Sequence, residues 1–247
     1  MPPTLALLGW LVLLLGLLFF DPAKEPETSA ALWIPVIWMF IAGSRLPSQW
    51  LDIQGGTAVQ VSEDGNPVDR TILAILIFLA IVVLLSRRFR WGNFLTQNIA
   101  LVAFVLFALL SVFWSDFPDV CLKRWFRDLG NYFVILVVLS DPRPLHAVRT
   151  VLRRLFYLLV PLSIVLIKYF PDIGRGFDTW TGAGTFVGVT TSKNLLGLVA
   201  LISGLFFLWD FVTRWPNRKA GIEKKIIMLD AAFIAMTFWL LSDSNSA

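Results

Sequence analysis

Two stretches of the chain carry side chains whose types and spacing suit chemistry on an anion. The first is the run Trp114-Ser-Asp-Phe-Pro-Asp-Val-Cys-Leu-Lys-Arg-Trp-Phe-Arg-Asp128. On a helix, Lys123 and Arg124 share a face with Arg127, because spacings of four and three superpose. Arginine presents a planar fork of donors that matches phosphate oxygens, so such a face at a membrane surface could grip a diphosphate. The competing reading is a belt of snorkelling cations neutralised by Asp116, Asp119 and Asp128.

The second stretch runs from Lys168 to Asn194 and is long, polar and rich in glycine. Gly174, Gly176, Gly182, Gly184 and Gly188 permit tight backbone turns there. Arg175 adds a further cation. Thr190, Thr191 and Ser192 place hydroxyls just ahead of an apolar run and can cap a helix. Lys193 and Asn194 then stand at that helix start, where the dipole favours anions. Phe177 and Trp180 could stack on a sugar face or anchor the chain at the headgroup boundary, and both readings stay open.

Several other patterns lead nowhere. Gly182, Gly184 and Gly188 form GxGxxxG, one residue too long for a dinucleotide fingerprint and without a βαβ setting. There is no Walker sequence. Asp116 and Asp119 resemble a glycosidase pair but more simply offset the neighbouring cations. His146, the one histidine, lies in a basic loop, so no Ser/His/Asp set can form on the opposite face. Cys121 is the one cysteine, which excludes an intramolecular disulfide and a Cys-based metal cluster.

The elements that must position these residues are membrane helices. Of the 247 residues, 57% are hydrophobic and only 15% charged, too few charges to cover a soluble surface. The apolar residues fall in blocks at 4–20, 31–43, 71–86, 98–114, 130–140, 155–167, 194–212 and 226–241. The expected fold is therefore all-α: a single multi-pass membrane domain over 1–247, with about eight spans. The blocks at 31–43, 130–140 and 155–167 are short for a span, and the last two are expected to extend into their charged flanks. Residues 1–20 lack a basic n-region and a clear cleavage site, so they read as a retained first anchor. Residues 52–69 read as an exposed polar loop.

The net charge of +4 marks membrane orientation rather than nucleic-acid binding. Twelve of the 21 basic residues fall in alternate connectors: Arg87, Arg88 and Arg90; Arg143, Arg149, Arg153 and Arg154; Arg214, Arg218, Lys219, Lys224 and Lys225. Those connectors are expected to be cytoplasmic. Loops 44–70, 115–129 and 168–193 then face outward, with Arg45, Arg70, Lys123, Arg124, Arg127, Lys168, Arg175 and Lys193. Both termini would lie outside. The assignment is weakest at 21–30, where Lys24 is set against Asp21, Glu25 and Glu27.

Four ordered runs carry a family likeness: Ser111-Val-Phe-Trp-Ser-Asp-Phe-Pro, Lys123-Arg-Trp-Phe-Arg-Asp-Leu-Gly-Asn131, Ile167-Lys-Tyr-Phe-Pro-Asp-Ile-Gly-Arg-Gly-Phe-Asp, and Gly188-Val-Thr-Thr-Ser-Lys-Asn-Leu-Leu-Gly197. Over about 70–241 the chain resembles the O-antigen ligase/polymerase superfamily, in particular bacterial proteins of the O-antigen ligase and exopolysaccharide-polymerase-like kind. The resemblance implies a polytopic inner-membrane glycosyltransferase. Such a protein passes a glycan from an undecaprenyl-diphosphate carrier to lipid A core or to another carrier-linked unit, on the periplasmic face, with neither nucleotide sugar nor metal. It implies that Arg124, Arg127 and Arg175, with Lys193 and Asn194, hold the diphosphate. Family members continue past the eighth span into a large outer loop holding a histidine base. The sequence to Ala247 stops about where that loop begins, so a shortened family domain is expected. Two other functions remain: a transporter or flippase for a lipid-linked or anionic substrate, and an inert fragment. Within the eight blocks the only charges are Asp210 and Asp230, each near a block end, which counts against transport.

Overall fold

The computed structural model describes residues 2–20, 29–52, 66–87, 89–177, 182–218 and 221–243. It is all-α, with helix accounting for 84% of the structure. In chain order the elements are α1 (Pro3–Phe20), α2 (Trp33–Gly43), α3 (Pro47–Trp50), α4 (Pro67–Ser86), α5 (Trp91–Gln97), α6 (Ile99–Leu110), α7 (Pro118–Leu139), α8 (Pro144–Tyr169), α9 (Pro171–Gly174), α10 (Lys193–Arg214) and α11 (Gly221–Asp243). Between α9 and α10 stands a two-stranded antiparallel hairpin, β1 (Arg175–Phe177) and β2 (Gly184–Phe186), with Arg175 opposite Phe186.

All eight apolar blocks are helical, and the protein is a multi-pass membrane protein. Among the described residues, fewer helices than blocks have the length and composition of a span. Among the described residues five helices are long and apolar enough to cross a bilayer: α1, α4, α8, α10 with its following turn, and α11. A sixth arises if α5 and α6 form one span bent by 90°. The bend falls at Asn98, whose φ of −118° and ψ of 41° leave the helical region. Its backbone N–H and its Nδ2 both donate back to the Phe94 carbonyl, at 3.0 and 2.9 Å, and so close the end of α5. The block at 31–43 makes only a short apolar helix. The block at 130–140 is the apolar half of α7, whose other half carries Lys123, Arg124, Arg127 and Asp128. The block at 155–167 does extend into its charged flank, as α8.

The residues fall into two compact units. One holds 1–28, 39–45 and 149–247. Its core is built on Tyr157, Phe207 and Phe233, with Phe207 and Phe233 stacked at 4.5 Å. Helices α10 and α11 approach closely at Gly204, where a Cβ would lie 3.0 Å from Thr237 Oγ1. Small residues at such contacts are what lipid-embedded helices use in place of hydrophobic drive. Apolar side chains on α1 and on one face of α10 point outward, the arrangement a lipid solvent permits.

The other unit holds 29–38 and 46–148. Its α4 is started by Asn66, whose side chain accepts from Val68 N at 2.9 Å, and by Pro67 at the first helical position. Asp69 in that first turn accepts from Ser48 N at 2.8 Å and Ser48 Oγ at 2.6 Å, which ties α3 to α4. Trp38 packs its ring on Gly130 of α7 and donates to Asn131 Oδ1 at 2.9 Å. Trp125 of α7 donates to the Val105 carbonyl of α6 at 3.0 Å.

Candidate functional site

In the first unit the long polar stretch after α8 is a built structure. Helix α8 ends at Tyr169, and Pro171 opens the single turn α9. The Gly174 carbonyl accepts from both Val187 N (3.0 Å) and Gly188 N (2.9 Å), closing the hairpin base. Gly174 sits so close to the Leu166 backbone that any side chain there would overlap it. Gly188 has a φ of +55°, and a Cβ on it would lie 2.9 Å from Ser163 Cβ. Both glycines are therefore required by the path, one by close approach and one also by conformation.

That path fixes Arg175. Its Nε donates to the Ile167 carbonyl at 3.0 Å, and its guanidinium lies over the Phe186 ring, 5.6 Å from the centroid. The residue is nonetheless exposed. An arginine held by its Nε and one ring face presents the rest of its fork to an incoming anion. Phe186 stacks in turn on Trp239 near the end of α11, and Lys168 lies over Trp239 at 5.4 Å.

Lys193 and Asn194 open α10, and Ser192 caps it by accepting from Leu195 N at 3.2 Å. Strand β2 packs against this helix, so Arg175, Lys193 and Asn194 belong to one unit. Phe177 is 82% exposed. Trp180, the other sugar-stacking candidate, lies outside the described residues, as do Lys24, Arg88, Lys219 and most of the expected loop 52–69.

Arg124 and Arg127 belong to the second unit, on the exposed half of α7. Arg127 faces Asp128 at 3.9 Å, with both side chains more than half exposed, so water screens this pair heavily. Phe113, Trp114, Phe117 and Phe126 are exposed around the same helix start. His146 is half-buried near the start of α8.

The structure also holds charged residues in roles that the spacing arguments left unassigned. Arg45, half-buried, donates from Nε to the Thr190 carbonyl (3.1 Å) and from Nη2 to the Ile173 carbonyl (2.5 Å). The sequence signal was a single arginine directly after an apolar block. In the second unit Arg87, at the end of α4, pairs with Asp141 at 3.1 Å and donates to Val137 O at 2.7 Å.

At the other end of α8 and α10 lies a buried ion network. Arg153 Nη2 contacts Asp210 Oδ2 and, at 3.0 Å, Asp230 Oδ1. Asp210 also meets Arg149 at 3.3 Å and Arg214 at 2.8 Å, and Arg214 meets Glu223 at 3.2 Å. The spacing of four between Arg149 and Arg153, and between Asp210 and Arg214, was the available signal. Helix α8 begins at Pro144, so Arg149 and Arg153 stand inside a helix rather than in a loop.

The chain is 28% identical over 133 residues to the exopolysaccharide production protein ExoQ of Rhizobium meliloti (strain 1021). The match takes in 53% of this chain, and the chain spans only 28% of the length of that relative. No protein-family profile matches the chain. No solved structure matches it either.

Proposed function

We propose that this chain works on a lipid-diphosphate-linked glycan in a bacterial inner membrane. The reaction class is glycosyl transfer of the O-antigen ligase or exopolysaccharide polymerase type. One observation carries the reading: an exposed Arg175 fastened by Ile167 and Phe186 on a glycine-shaped hairpin whose second strand packs on α10. Displacing a diphosphate leaving group needs stabilisation of the developing negative charge, and prefixed cations supply it without reorganising. The likeness to ExoQ supports an exopolysaccharide setting. Arg175, Lys193 and Asn194 contact the diphosphate or its first sugar in this reading; Arg124 and Arg127, in the second unit, are separate cation candidates in a connector expected to face outward. The side of the membrane is the periplasm, by the charge of the connectors.

The test is expression in a bacterium that lacks its own ligase or polymerase, with long-chain glycan as the readout. Arg124→Ala, Arg127→Ala and Arg175→Ala should each lower transfer, by about tenfold for a lost charged hydrogen bond. Three silent variants would overturn the diphosphate assignment.

A second reading, movement of a lipid-linked or anionic substrate without bond cleavage, is favoured by the buried ions of α8, α10 and α11. Asp230 is fully buried and stands nine residues into α11, about 14 Å along its axis. Charges at that depth mark substrate or ion paths in transporters. Uptake of labelled carrier into vesicles with no change in glycan length would select this reading.

A further inference from the structure

The hairpin that carries Arg175 is gripped at its base by one side chain. Ile173 lies two residues before Arg175, and Thr190 follows β2. Arg45 donates to both of their carbonyls, so a single guanidinium closes the loop from its two ends. Lysine could not do this as well, because its ammonium lacks the fixed fork that reaches two acceptors in one plane. Burial lowers the Arg45 pKa from its ordinary value. The group is nonetheless an arginine and stays charged, with carbonyl dipoles replacing lost water.

The backbone around this grip has little freedom. Gly174 abuts Leu166, Gly188 abuts Ser163, and the Gly174 carbonyl takes two donors from the returning strand. Thr190 is fully buried and its hydroxyl reaches the Val187 carbonyl at 2.7 Å. Movement of Ile173 would therefore carry Arg175 with it.

We propose that Arg45 is the positioning residue of the anion site, fixing through Ile173 and Thr190 the direction in which Arg175 offers its guanidinium to a lipid-linked diphosphate. This rests on the reading of Arg175 given above. Arg45 itself does not touch the substrate: its Nε and Nη2 are spent on the backbone.

Two measurements on the full chain in nanodiscs test it. In the first, Cys121→Ser removes the native thiol and Val187→Cys places one at a buried hairpin position, 8% exposed. Arg45→Ala should raise the maleimide labelling rate at that thiol about tenfold, with Arg45→Lys in between. In the second, binding of undecaprenyl diphosphate is measured in a double-mutant cycle. Arg45→Ala should weaken binding about tenfold with Arg175 present and less than twofold in Arg175→Ala, because coupled residues are not additive.

Unchanged labelling, or an equal loss of affinity in both backgrounds, overturns the role of Arg45 and leaves the Arg175 reading standing. Raised labelling with an Arg175→Ala variant that binds normally overturns the anion reading, and with it the part of Arg45 in binding. Should Arg45→Ala fail to reach the membrane, Arg45→Gln is read by the same two criteria.

Discussion

Arg153 of α8 meets Asp230 of α11 at 3.0 Å, with the arginine side chain 3% exposed and the aspartate wholly buried. The same Nη2 also contacts Asp210 of α10, so one guanidinium nitrogen joins three helices. Tyr157 accepts from Nη1 of that guanidinium at 3.0 Å. Lipid gives helices little hydrophobic reason to associate, which raises the importance of such polar ties and of close contacts like Gly204 with Thr237. The network also balances: Arg149, Arg153 and Arg214 face Asp210, Asp230 and Glu223.

Removing the cation from this tie should cost far more than replacing it together with Asp230. Arg153→Met leaves the buried Asp230 carboxylate without its cation, whereas Asp210 keeps Arg149 and Arg214, and should destabilise the protein by about 3–5 kcal/mol. Adding Asp230→Asn to that variant should recover most of the loss. Thermal unfolding in detergent measures both, and equal midpoints for the single and double variants would contradict the account.

A second prediction concerns Gly130. Its Cβ position is already filled by the Trp38 indole, which is held in place by Asn131. Gly130→Val should destabilise by about 1–3 kcal/mol, the usual cost of overpacking. Gly92 of α5 has open space around it, so Gly92→Ala should leave the unfolding midpoint unchanged or raise it. Equal effects of the two would show that α7 does not pack on Trp38 as described.

The sidedness of the chain can be measured directly. In a Cys121→Ser background, a cysteine at Phe177 should react with a membrane-impermeant maleimide in intact cells. A cysteine at Arg218, beyond α10, should react only after permeabilisation. Labelling of both in intact cells would break the alternation of charge on which the outward assignment of Arg175 depends.

The apolar blocks were legible because lipid demands long unbroken runs, and the helices α1, α4, α10 and α11 follow them closely, while α8 reaches well ahead of its block into the charged flank. The span count was not, because block length does not reveal a break such as Asn98 or the charged half of α7. Lys193 and Asn194 stood out as candidates beside glycines and a helix cap, and Arg175 entered as a candidate through the family resemblance. What their spacing could not show was the fastening of Arg175 on Ile167 and Phe186, which depends on how the chain returns after α8. Arg45 and Arg153 were counted only as loop charges. Their partners lie far along the chain, and no local pattern encodes a contact between Arg45 and Thr190 or between Arg153 and Asp230.

The claim that Arg175 is an anion contact is tested most directly by equilibrium binding in nanodiscs. Undecaprenyl diphosphate should bind the native chain about tenfold more tightly than Arg175→Ala, a difference of about 1.4 kcal/mol. Undecaprenol, which carries no phosphate, should bind the two equally. Equal affinity of both proteins for the diphosphate, or equal affinity of the native chain for diphosphate and alcohol, would contradict the account.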